Sequence, residues 1–149
     1  MRIKVVPKLL IGTMISFLLM ACAVTGPKFT EFAPSISKLA PDKGRIYIYR
    51  TTLLGSAIQP RVTLNGEVIG RAVPRGFFYV DKKPGNYVIK TSTEVRRKLS
   101  LTLDKGQTRY VRLNISFGLL IGHVYPELVE PKVAKKEIQH CRYIGKRSN

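Results

Sequence analysis

Between Gly44 and Phe117 the chain is cut into short runs of β-favouring residues, each closed by a turn signal, and few folds accommodate such a pattern. "GRIYIYR" (44–50) sets Ile46 and Ile48 on one face of a strand and Tyr47 and Tyr49 on the other. Apolar residues on both faces predict a strand covered on both sides. In "AIQPRVTLNGEVIGRAV" (57–73) the Asn65-Gly66 pair suits the two positive φ angles of a type I′ turn, which predicts a hairpin. Pro60 cannot donate a ladder hydrogen bond, so the first arm is expected to begin at or near a sheet edge. "GFFYVDKKPGNYVIKTST" (76–93) supplies two more strands around Pro84-Gly85, and "KLSLTLD" (98–104) alternates leucines with small hydroxyl residues. Lys105-Gly106 then leads into "QTRYVRLNISF" (107–117), where Tyr110 and Arg112 take one face and Val111, Leu113, Ile115 and Phe117 the other. The expected architecture is mainly β: an antiparallel β-sandwich of six to eight short strands.

The remainder of the domain departs from that rhythm. "GLLIGHVYPELVEP" (118–131) reads as an edge strand interrupted by Pro126; its apolar start is either a loop tip that dips into a membrane or, as favoured, a core strand with glycine bends. From Val133 the period becomes 3.6, with Ala134, Ile138 and Cys141 on one face. A short C-terminal α-helix is expected to pack Cys141 onto the sheet, where buried cysteine behaves as a small hydrophobe.

The first 21 residues follow a different logic. Arg2, Lys4 and Lys8 precede an uncharged run from Leu9 to Ala21, the layout of a secretory signal. A run of 13 residues falls short of the roughly 20 needed to span a bilayer, although an uncleaved anchor is an alternative. The run ends in "LMAC" (19–22), which resembles the lipobox of bacterial lipoproteins. That resemblance implies that Cys22 becomes the acylated N-terminus, attached to membrane lipid by more than one chain, as stable anchoring requires. Ala23, not being Asp, then implies sorting to the bacterial outer membrane, with the domain facing the periplasm or the cell surface. The alternative is a Cys22 buried in an N-terminal core helix. The resulting division is a signal peptide (1–21), a lipidated N-terminus and Pro-rich tether (22–43), and a sandwich domain with its helix (44–149).

Charge bounds the partners. The chain carries 26 Lys and Arg against 9 Asp and Glu, +17 in all; the three leader cations leave with the signal, so the mature part carries +14. Such an excess draws a domain toward anionic surfaces such as lipid headgroups, phosphorylated glycolipid or acidic polymers, with strong salt dependence, and an envelope protein is the other partner considered. Nucleic acid is discounted for an exported chain. The charges are scattered, with no basic block longer than Arg96-Arg97-Lys98, which favours a solvated surface over a binding stripe; if a binding surface exists, Arg96, Arg97, Lys98, Lys82 and Lys83 are its candidates.

Residues for chemistry are sparse. His123 and His140 are the two histidines, no Cys or His pair has zinc spacing, and no phosphate-cradling glycine loop or G-x-S-x-G motif occurs. His140 and Cys141 are neighbours on a helix and so point about 100° apart, which argues against a nucleophile with its base. The expectation is therefore a non-enzyme without cofactor or metal. With Cys22 acylated, Cys141 has no disulfide partner in the mature chain and is either buried or used.

"GRIYIYR", "VTLNGEVIGRAVPRGFFYVDKKPGNYVIKT", "KLSLTLDKGQTRYVRL" and "AKKEIQHC", in that order, resemble a bacterial lipoprotein family catalogued as a domain of unknown function, number 2846. The likeness runs from residue 44 to about 142. Its pieces are also similar to β-sandwich repeats appended to envelope and sugar-binding proteins, which implies the same architecture and brings no activity. The reading is a lipid-anchored, non-enzymatic binding or scaffolding module. Inhibition of an exported enzyme is the alternative, weakened for lysozymes of the common type because two basic proteins repel.

Overall fold

A computed structural model describes residues 24–117 and 122–145, apart from the side chains of Val95 and Arg96. Among the described residues nine strands form two sheets: β1 (Gly44–Tyr49), β2 (Arg61–Leu64), β3 (Glu67–Arg71), β4 (Gly76–Lys82), β5 (Gly85–Thr91), β6 (Glu94–Leu103), β7 (Thr108–Phe117), β8 (Gly122–Val129) and β9 (Arg142–Tyr143). A five-stranded sheet has the order β8-β7-β1-β4-β9 and a four-stranded sheet β3-β2-β5-β6. Two short helices, α1 (Phe29–Phe32) and α2 (Pro131–Glu137), complete a sandwich dominated by antiparallel pairs.

The turn signals do two different jobs. Asn65 (φ 50°) and Gly66 (φ 89°) close the β2–β3 hairpin with both central residues left-handed, as a type I′ turn requires. Pro84-Gly85 and Lys105-Gly106 instead join strands of opposite sheets: β4 to β5, and β6 to β7. As a result β1 lies between β4, antiparallel, and β7, parallel, with Tyr47 opposite both Tyr79 and Tyr110. The edge expected at Pro60 is not found, for β2 runs between β3 and β5. Pro60 is tolerated because it lies one residue before the strand, where its carbonyl accepts the Ala72 amide at 2.9 Å. Pro126 lies within edge strand β8, opposite Leu113.

Ile46, Ile48, Val62, Leu64, Ile89 and Leu103 meet Val111 and Leu113 between the sheets, all 3% exposed or less. A second cluster covers the outer face of the five-stranded sheet, where Tyr47, Tyr49, Phe77 and Tyr110 lie against Ala134, Ile138 and Cys141. The last three are fully buried, as the helical spacing predicts, although α2 tightens to a 3-10 turn over Ile138–His140 before Cys141. The two-sided burial of β1 follows from its position under this second layer.

The tether expected over 22–43 is corrected in part. Phe29 and Phe32 set their rings edge-on against Phe77 at 5.1 and 6.1 Å, and Phe32 stacks on Tyr143 at 3.8 Å. Farther along, Arg45 donates to Asp81 at 2.6 and 2.7 Å and to the Ser37 carbonyl at 2.9 Å. Two phenylalanines at i and i+3 have enough apolar area to dock a single helical turn, which the proline content of the segment obscured. Gly26, Pro27 and Lys28 lie against β9 and Cys141: the Tyr143 amide donates to Pro27 and the Phe29 amide to Cys141. Cys22 and residues 118–121 lie outside the described residues.

The loop between β1 and β2 is organised by one cation. Arg50 is fully buried, and its guanidinium donates to the carbonyls of Ile58 (2.7 Å), Ala72 (2.9 Å), Leu54 (2.5 Å) and Gly55 (3.1 Å).

Candidate functional site

Among the described residues, one outer face of the sandwich is covered and the other is bare. The outward positions of the four-stranded sheet follow from its registers. Val62, Leu64, Ile89 and Leu101 face the core, so Arg61 and Thr63 on β2, Lys90 and Val88 on β5, and Lys98, Ser100 and Thr102 on β6 face out. On β3, Val68 lies opposite Thr63 and Arg71 opposite Arg61. Arg61, Arg71, Lys90 and Lys98 are exposed, one on each strand, and no Asp or Glu shares the face with them. With strands about 4.8 Å apart, the four cations span roughly 14 Å. Among the described residues none of the four is in an ion pair, whereas Arg45, Lys82, Arg97 and Arg112 each are.

The five cations that the sequence offers as a binding surface are dispersed by the fold. Lys98 is on the bare face. Arg97, one residue earlier, points the other way, 3.5 Å from Glu94 and with its guanidinium 4.4 Å over the Tyr125 ring. Arg96 lies on β6 with its side chain outside the description. Lys82, on the other sheet, pairs with Glu67 at 3.3 Å, and Lys83 is exposed in the turn after β4.

The covered side contains a polar network beneath α2. Tyr49 donates to Glu137 at 2.7 Å, and Arg112 bridges Glu137 (2.6 Å) and Glu127 (2.9 Å). Burial, then the hydrogen bond to Glu137, raises the Tyr49 pKa. Burial alone would lower that of Arg112, but the bond to Glu127 and the charges of both carboxylates outweigh it and raise the value. The bond from Arg112 holds Glu127 below the usual carboxylate range. These bonds fasten α2 to β1, β7 and β8, while Arg112 Nε has no acceptor among the described residues.

Cys141 belongs to the same layer. It is fully buried, its thiol donates to the Arg50 carbonyl at 3.6 Å, and burial pushes its pKa up to about 12. His140 beside it is exposed. In a Cys22→Ser chain, Cys141 should resist a thiol reagent until the protein unfolds; rapid labelling of the native chain would overturn its burial. The folded thiol keeps its proton to higher pH than the unfolded one. Its contribution to stability is therefore complete below about pH 8.5 and is lost as pH rises toward 12. Urea titrations above pH 9 should show a steeper loss in that chain than after Cys141→Ala, by up to about 1.4 kcal/mol per pH unit.

Between β3 and the β4–β9 edge the sheets splay around a groove of about 690 Å³ with an apolar floor of Ile69, Phe78, Val80 and Ile144. The Lys82–Glu67 pair joins its two walls. Among the described residues no grouping of three or more His, Cys, Asp or Glu could hold a metal ion, and no helix is long and apolar enough to cross a membrane.

Comparison with known proteins places these elements in a family. Residues 40–124, which contain β1 to β7 and the start of β8, match the family described as "Protein of unknown function (DUF2846)". A protein of Haemophilus influenzae, described as an "uncharacterized protein", is 29% identical over 128 residues, covering 83% of this chain and 76% of its own. No solved structure matches. The match covers more than half the chain, including all four strands of the bare face's sheet, and by it this protein belongs to the DUF2846 family.

Proposed function

We propose that this protein is a non-enzymatic binding module, held at the bacterial outer membrane by lipid on Cys22, that applies the bare face of its four-stranded sheet to an anionic component of the envelope. The observation that supports it is the asymmetry of the sandwich. Helices and aromatic rings cover one outer face, while the other presents Arg61, Arg71, Lys90 and Lys98 with no carboxylate among them. Unpaired cations on a flat surface are poor contributors to stability and good contributors to association with anions. A carboxylate-bearing envelope protein and an anionic lipid both fit this chemistry.

Two results test the reading. The full chain with Cys22→Ser should no longer take up labelled fatty acid, and continued labelling overturns the anchor. In nonionic detergent, the full chain should bind micelles doped with an acidic amphiphile at low salt and release them at high salt. Lys90→Glu with Lys98→Glu should weaken that binding about tenfold or more, a loss of about 1.4 kcal/mol. Unchanged affinity overturns the assignment of the face.

A further inference from the structure

We propose that Arg61 and Arg71 form a clamp for a phosphate group, a site that rests on the reading of the bare face as an anion-binding surface and names the ligand it selects. The two arginines are directly opposite one another on β2 and β3. Side chains so placed start about 5 Å apart, and like charges in that position destabilise a sheet unless an anion lies between them. Both are exposed, and no carboxylate faces them.

Arg71 is held in place. Its Nε and Nη2 donate to the Gln59 carbonyl at 3.2 and 3.1 Å, which orients the guanidinium plane and leaves the remaining Nη donors free. The backbone of Arg61 is pinned as well, its amide donating to Ser92 Oγ at 3.1 Å. Lys90 is the adjacent cation, on β5 opposite the next outward residue of β2. Two planar forks and an ammonium suit the several oxygens of a phosphate, which guanidinium groups bind with paired hydrogen bonds and ammonium as a point charge.

A β-bulge produces the juxtaposition. The register of β3 shifts between Val62 and Thr63, so Ile69 is the extra residue. Gly70 then faces inward, where a Cβ would come within 2.7 Å of the Phe78 ring, and Arg71 faces outward. Without the bulge the alternation along β3 would turn Arg71 toward the core. Bulges of this kind re-aim a side chain.

The test uses the full chain in nonionic detergent and calorimetric titration with three probes: inorganic phosphate, micelles doped with phosphatidylglycerol, and heparin, a sulfated polymer without phosphate. The wild-type chain should bind at least one phosphate probe. Binding of inorganic phosphate would point to a soluble source and binding of the micelles alone to a lipid headgroup; either supports the clamp. Arg61→Gln with Arg71→Gln should weaken that binding about tenfold or more while leaving the thermal midpoint equal or higher, since a repulsion is removed. Arg61→Lys with Arg71→Lys, which keeps the charge and loses the forks, should not restore it. Full affinity in the double-lysine variant, or binding of heparin with neither phosphate probe, overturns the clamp and leaves the anionic-surface reading standing. No binding of any probe overturns both.

Discussion

Replacement of Arg50 by alanine should destabilise the protein by about 4 kcal/mol or more, a loss of the size expected when several buried polar groups lose their partner at once. Four carbonyls, from Leu54, Gly55, Ile58 and Ala72, converge on this guanidinium. They come from the β1–β2 loop and from the connection between β3 and β4, two segments with no ladder of their own. Burial lowers the Arg50 pKa, yet a guanidinium stays charged throughout the range in which proteins fold. Arg50→Lys keeps a charge but offers three donors on a flexible stem, so it should recover only part of the loss. Urea unfolding with an unchanged slope and a lower midpoint checks both variants. A loss under about 1 kcal/mol for Arg50→Ala would mean that the loop is held by other contacts.

Phe77→Ala should cost about 3–5 kcal/mol, the range for a fully buried aromatic side chain. Phe77 has no exposed surface and is the hub of the outer layer, with Phe29, Phe32 and Tyr143 at 5.1, 6.1 and 5.5 Å. Its removal should also free the segment around α1, seen as faster hydrogen exchange over residues 28–36. Phe29→Ala should produce the same local exchange with a smaller global loss. If Phe77→Ala leaves exchange in that segment unchanged, α1 is held chiefly by the Arg45 bond to Ser37 and the bridge to β9.

How much of this was legible in advance depends on the range of the interaction concerned. The strands from 44 to 117 were legible because each carries its own alternation, and Asn65-Gly66 specified its turn because few other pairs adopt two positive φ angles. The buried face of α2 was legible for the same reason: Ala134, Ile138 and Cys141 repeat at helical spacing. The two-residue β9 is too short to show any period. The docking of α1 was hidden by the prolines around it, since Phe29 and Phe32 are informative only once the ring of Phe77 is known to lie beneath them.

The candidate site was largely illegible. Arg96, Arg97 and Lys98 are adjacent in the sequence, but neighbours on a strand point to opposite faces, so the run splits. The cations that do share a face, Arg61, Arg71, Lys90 and Lys98, are 8 to 19 residues from one another in consecutive order. Outward parity in each arm was available as a signal for Arg61 and Lys90. For Arg71 it was not, because the bulge reverses the parity of β3 after Ile69.

The amino-acid sequence by itself determined the local conformations: which stretches are strands, where the chain turns, which face of the last helix is apolar, and that the whole carries a large positive charge. Those properties depend on backbone preferences and on periodicities read over a few residues. Tertiary structure alone decided which turns cross between sheets, which outer face is covered and which side chains from four strands meet on the bare one. Each of these depends on pairing between residues far apart in the chain, which no local period encodes, and in β3 on one extra residue that changes the side to which Arg71 points.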